Sequence, residues 1–284
     1  MSKTRLPRRA AVCLALLGSA LLSLTGLSAA QAAAPLPTLK LSLTKGAIAV
    51  SGSTVSGAVN VAVTSATDLK EPSPLLIRLN PGATVAEFEA LLNSKAISDP
   101  NNISKVGAMV FDASGTPGAT NEVQTELKPG NYIALNVEGE SPTNPPHVAF
   151  TVTASPSPAV LPAPAATIKS IDFAFKGPST LKVGQLVRFE NEGFLVHMDF
   201  AAPVKSKKAA LKAIAYFKVG KEKAVFKLVS GEPVSFFGPL STGGIQQETI
   251  TAKPGWYVQT CFMDTQDHRQ HTRLGMVRLL HIVK

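Results

Sequence analysis

The sixteen residues CFMDTQDHRQHTRLGM, Cys261 to Met276, carry one thiol, two imidazoles and two thioethers. Sulfur and imidazole are the donors that soft and borderline metal ions select. Cys261, His268, His271 and Met276 are therefore candidate ligands, and His147, His197 and His281 complete the histidine set. The only other cysteine, Cys13, lies in an N-terminal stretch with the order of a secretory signal peptide. If that stretch is removed, Cys261 stands alone in an exported chain and has no intramolecular disulfide partner. An intermolecular bridge, a free thiol or a metal ligand remain. A free thiol outside the cell oxidises unless it is buried or coordinated, so the compartment favours coordination.

The leader is read over residues 1–32. Lys3, Arg5, Arg8 and Arg9 precede a short apolar run, and Ala30 to Ala32 offer small residues for cleavage. Its loss removes four of the 28 basic residues and none of the 19 acidic ones, which leaves a net charge of +5. No later stretch is long and apolar enough to cross a bilayer. The expected location is secreted or in the cell envelope, outside the cytoplasm, with no membrane span in the mature chain.

The elements that must position the candidate ligands show a repeat. LKPGNYIALN (Leu127 to Asn136) and AKPGWYVQTC (Ala252 to Cys261) share Lys-Pro-Gly, an aromatic residue and an apolar run. Pro-Gly suits the centre of a type II turn, and the run after it reads as a strand. Upstream, GAVNVAV and GQLVRFEN read as strands, each followed by a helical signal. In the first copy the helical signal is TVAEFEALLNSK, with Thr84 and Glu87 spaced as a capping box. In the second it is SKKAALKAIAYF, from Ser206. Between the copies, residues 154–166 (ASPSPAVLPAPAA) have the Pro-Ala composition of an extended linker. The expectation is all-β: two related β-sandwich domains, 36–153 and 167–284, each with one short helix. Counted from the shared glycine, Cys261 aligns with Asn136, so a shared fold does not itself require the thiol.

The second copy resembles the cupredoxins, the blue-copper proteins of plastocyanin and azurin type. The resemblance is carried by Phe189, Asn191 and Gly193 in F-x-N-x-G before His197, by Cys261 after PGWYVQT, and by His271 and Met276 in HTRLGM. It covers most of 167–284 and extends more weakly to the first copy. It implies two tandem cupredoxin-like Greek-key sandwiches, the first degenerate and metal-free. It also implies one copper ion bound by His197, Cys261 and His271, with Met276 axial, and one-electron transfer as the activity. The donor types agree, since a thiolate and two imidazoles with a weak thioether suit both copper oxidation states. The nine residues between Cys261 and His271, FMDTQDHRQ, must bulge out for the two to share one ion.

His268 competes with His271 but stands eight residues before Met276, where the family ending has five. His147 and His281 read as structural, and Met263 as packing or loop. Eight lysines lie between Lys205 and Lys227. They read as a solvated face or as a docking surface for an acidic redox partner or an anionic envelope polymer. Nucleic acid is not expected as a partner of an exported chain. No serine has a base at a meaningful spacing, and the histidines are too few for a three-copper centre, so no enzymatic activity is expected. A non-redox binding module of the envelope and a copper storage or delivery protein are the alternative functions.

Overall fold

The structure is a computed structural model that describes residues 35–137 and 145–284. The expected signal peptide lies outside the described residues. The first half supplies β1 (Thr38–Thr44), β2 (Ala47–Gly52), β3 (Gly57–Ser65), β4 (Pro74–Leu79), α1 (Val85–Leu92), β5 (Gly107–Asp112), β6 (Thr120–Leu127), β7 (Gly130–Asn136) and β8 (His147–Val152). The second half supplies β9 (Ala166–Ile171), β10 (Ala174–Lys176), β11 (Thr180–Lys182), β12 (Leu186–Asn191), β13 (His197–Val204), α2 (Lys207–Lys218), α3 (Glu222–Phe226), β14 (Val234–Leu240), β15 (Ile245–Thr249), β16 (Gly255–Thr260) and β17 (Val277–Val283).

These strands form β-sandwiches. One eight-stranded sheet runs β10-β9-β12-β15-β6-β3-β1-β2, a four-stranded sheet β5-β4-β7-β8 faces it in the first half, and a five-stranded sheet β11-β17-β16-β13-β14 does so in the second. The long sheet reads the same from both ends. β1 runs parallel to β3 as β9 runs parallel to β12, and the corresponding strands β6 and β15 meet antiparallel at the middle, Thr125 opposite Gln246 and Gln124 opposite Gln247. The halves thus share one continuous sheet, and the Pro-Ala segment lies along it, with the Pro162 carbonyl accepting from Gln247 Nε2 at 3.0 Å.

Strand alternation supplies the cores. In β1, Leu39, Leu41 and Leu43 point inward between exposed residues, the period of a strand with one buried face. In the second half Phe189, Phe236 and Phe237 are buried in one core cluster, and the first two rings stack at 4.7 Å.

Both predicted helices form. Thr84 and Glu87 close the capping box of α1, and the Ser206 hydroxyl caps α2 at Ala209 N, 3.2 Å away. The expectation of one short helix per half is too spare, because α3 follows α2 and two 3-10 turns, Lys95–Ser98 and Pro100–Lys105, follow α1. The two Pro-Gly sites share a clamp rather than a type II turn. Tyr132 donates to the Lys128 carbonyl at 2.8 Å and Tyr257 to that of Lys253 at 2.7 Å. Gly130 takes a positive φ of 145° and Gly255 does not. A phenol bonded four residues back fixes the strand entry in both copies, so the glycine angle is free to differ.

Candidate metal centre

All four residues named from the resemblance lie at one end of the second sandwich. His197 opens β13, Cys261 follows the last residue of β16, His271 stands in the connection, and Met276 precedes β17. All four are fully buried.

The approach to His197 is shaped by Phe189, Asn191 and Gly193. Phe189 anchors β12 in the core. The Asn191 amide donates to the carbonyls of Leu195 at 2.9 Å and Leu240 at 2.8 Å, and accepts from Gly193 N at 2.9 Å. These bonds fold the strand end back on itself. Gly193 is needed for room: a Cβ there would come within 2.5 Å of His197 Nε2 and 2.7 Å of Asp172 Oδ1.

The connection between Cys261 and His271 leaves the site as a small hairpin. Thr265 N donates to the Arg269 carbonyl at 3.0 Å, Asp264 bridges to Gln270, and His268 takes a left-handed φ of 59° at the tip. His271 N then donates to the Met263 carbonyl at 2.8 Å. The insertion closes on itself, and its two ends return side by side. His268 is exposed at the tip and takes no part in the cluster.

His197, Cys261 and His271 form the cluster, their donor atoms all within 4.8 Å of one another. His197 Nδ1 lies 3.1 Å from His271 Nδ1, and Cys261 Sγ lies 3.4 Å from His271 Nδ1 and 3.8 Å from His197 Nδ1. An ion bound in the plane of such donors, with bonds of about 2.0 Å to nitrogen and 2.3 Å to sulfur, sets nitrogens about 3.5 Å apart and nitrogen from sulfur about 3.7 Å. The three separations agree with this to within a few tenths of an ångström. Met276 packs in the same apolar cluster as Cys261, and its amide donates to the His271 carbonyl at 2.9 Å.

The protonation states suit the same purpose. His197 Nε2 lies 3.0 Å from Asp172 Oδ1. A carboxylate there calls for the proton on Nε2 and leaves Nδ1 with a free lone pair. Burial lowers the His197 pKa against the pull of Asp172. Burial, with the His197 charge beside it, brings His271 down to about 4. Burial pushes Asp172 up, but amide donation from Phe194 and Leu195 and the bond to His197 outweigh it and hold the carboxyl below its ordinary value. Both imidazoles are thus neutral at pH 7. Burial pushes the Cys261 thiol up to about 12, against amide donation from Met198 and Met263. A metal must therefore displace one proton, from sulfur. The Met198 amide reaches Sγ at 3.4 Å.

Sequence reasoning did not find Asp172. It sits in the two-residue turn between β9 and β10, twenty-five positions before His197, and nothing local marks it. Nor did it find Phe173 in the same turn, whose ring meets His271 edge-on at 5.3 Å. A second set, buried Asp199 and Gln259 with half-buried Arg278, was also missed. Gln259 Nε2 donates to both Asp199 oxygens, at 2.7 and 2.6 Å, and Gln259 Oε1 accepts from Arg278 Nε at 2.7 Å. His147 and His281 lie outside the cluster. His147 bonds Glu89 at 3.0 Å, and His281 stacks on Trp256 at 3.8 Å.

A two-layer β-sandwich with His, Cys and His converging at one end, beside a buried Met, is the arrangement of a blue-copper site, and the cluster is suited to one copper ion. The resemblance to cupredoxins is borne out by fold and cluster together. No protein-family model matches the chain, and no curated protein matches it in sequence. Solved structures similar to it include reduced auracyanin from Roseiflexus castenholzii, at 20% identity over 42% of this chain and 95% of that one, TM-score 0.27. A copper-containing nitrite reductase from Thermus scotoductus SA-01 aligns at 13% identity over 87% of this chain and 67% of that one, TM-score 0.24. A multicopper oxidase aligns at 13% identity over 86% and 87%, TM-score 0.22. The last two are named as enzymes, so the expectation that this chain is not an enzyme is withdrawn.

Proposed function

We propose that the chain is an exported protein that would hold one copper ion through His197, Cys261 and His271, with the buried Met276 beside them as a further weak donor, and that the ion would supply a one-electron couple for electron transfer. The observation that carries the reading is the convergence of two Nδ1 atoms and one Sγ, drawn from positions 64 and 74 residues apart along the chain, on separations that fit one ion. The basic, apolar leader and the single remaining cysteine support export. Copper supplies a one-electron couple that this donor set tolerates in both oxidation states. The protein's own part is to keep the donors in place and the site dry. Asp172 fixes the His197 tautomer, the Met198 amide donates to sulfur, and the hairpin after Cys261 sets His271 against it.

The docking surface is assigned to the lysine-rich face of α2 and α3. Leu211, Val219 and Phe226 stand exposed among these lysines. Arg273, two residues past His271, holds Glu222 of α3 at 3.1 Å, which ties this face to the ligand loop. Its charge calls for an acidic redox partner.

Copper(II) reconstitution tests the reading. One ion per chain and a strong thiolate-to-copper band are expected, lost in Cys261→Ser and kept in His268→Gly. A chain that takes up no copper would overturn it. Tight copper(I) binding without a reversible voltammetric wave would assign storage or delivery instead.

A further inference from the structure

The first half reaches into the metal loops of the second at three places. Asn101, in the 3-10 turn Pro100–Lys105, accepts at Oδ1 from Val196 N, 2.8 Å away and one residue before His197. Its own amide is set by Asp99, which accepts from Asn101 Nδ2 at 2.8 Å and from Asn101 N at 3.0 Å. The Val196 side chain is buried in an apolar cluster otherwise made of first-half residues, Leu75, Ile103, Met109 and Leu135 among them. Met263 packs on that cluster and on the second-half core, while its backbone bonds Cys261 and the His271 amide. Met109 exchanges two bonds with Ser241, at 2.9 and 3.0 Å, and the neighbouring Thr242 hydroxyl bonds the Gly193 carbonyl at 2.8 Å.

We propose that the metal-free first half is a positioning wall for the metal centre, and that Asn101 is the residue through which it sets the His197 loop. Val196 N–H is a buried donor with one partner, and that partner comes from the other half. A backbone donor stripped of its acceptor turns toward water or another acceptor, and it stands next to a ligand. Side chains that touch no ligand can tune a metal site in this way by orienting those that do. On this reading the first half completes the loops that carry the other half's ligands. The inference rests on the copper reading for its spectroscopic arm and stands without it for the other.

The test compares full-length wild type with Asn101→Ala and with Asn102→Ala. Asn102 lies in the same turn but bonds only within the first half, to the Ala96 carbonyl at 2.9 Å. In the metal-free protein, alkylation of Cys261 by iodoacetamide is expected to be about tenfold faster in Asn101→Ala, the scale of one unmade buried hydrogen bond. Asn102→Ala is expected to match wild type. In the copper-loaded protein, Asn101→Ala shifts the thiolate band and loses copper to a chelator faster, again unlike Asn102→Ala. If Asn101→Ala matches wild type in alkylation, or if Asn102→Ala speeds it equally, the inference is overturned. A wild type that binds no copper defeats the functional reading and leaves the alkylation comparison to decide this one.

Discussion

Asp172 holds His197 by Nε2, and the opposite ring nitrogen is the one that faces Cys261 and His271. Carboxylates placed this way fix the tautomer and raise the basicity of a ligating imidazole, and their loss typically weakens metal binding about 10–100-fold. Asp172→Asn is therefore expected to keep the fold and one copper per chain while the dissociation constant rises by that order, measured by competition with a chromophoric chelator. An unchanged constant would show that the Asp172 charge adds nothing to the basicity of the ring. At this scale the sequence was legible where a residue carries its reason beside it. Phe189, Asn191 and Gly193 lie within eight residues of His197, and each shapes the same turn. Asp172 was not legible, because its link to His197 is made by the pairing of β9 with β12, which brings Ser170 opposite Asn191. An aspartate in a turn has no local mark of what will fold against it.

Among the elements, the connection from β16 to β17 carries Cys261 and His271 into the cluster, and the helix pair α2–α3 carries the lysine-rich face. The hairpin after Cys261 turns a long insertion into a short one, because Asp264 and Gln270 bridge and the chain re-enters at Met263 and His271. The bulge was legible as a requirement of spacing, whereas its hairpin form depends on Thr265 side-chain bonds that no periodicity announces. The helix α2 was legible from its 3.6-residue pattern. Ala210, Ala213 and Phe217 face inward, and Lys207, Lys208, Lys212 and Lys218 face solvent. The three exposed apolar residues around these lysines are what the fold adds. If this face meets an acidic partner, its charge steers approach. With Lys212→Glu and Lys218→Glu together, stopped-flow oxidation of the reduced protein by hexacyanoferrate(III), an anionic probe, is expected to slow roughly tenfold at low salt. The difference should fade as the Debye length falls to about 3 Å at 1 M salt. Equal rates at low salt would remove this face from the docking assignment.

The whole molecule is organised about the join of β6 with β15. The repeat was legible in the sequence through LKPGNY and AKPGWY, and the structure gives it a palindromic sheet. The join itself was hidden, because Thr125, Gln124, Gln246 and Gln247 have the polar character of a free edge. Asp112 lies beside it. Its amide donates to Gln246 Oε1 at 2.8 Å, its carboxyl is buried against Gly238, and its side-chain partner, the Ser73 hydroxyl, is distant at 3.5 Å. Burial pushes this carboxyl up to about 7, against the weak help of Ser73, from about 3.9 in the unfolded chain. Between those values the folded state holds a proton that the unfolded state has lost, so stability falls as pH rises from about 4 to 7 and is level above. Asp112→Asn removes this dependence. By urea unfolding, the variant and wild type are expected to be equally stable near pH 4, with the variant ahead by on the order of 4 kcal/mol at pH 8. A difference that stays constant across this range would mean that Asp112 keeps its charge at the join, stabilised there by groups other than Ser73.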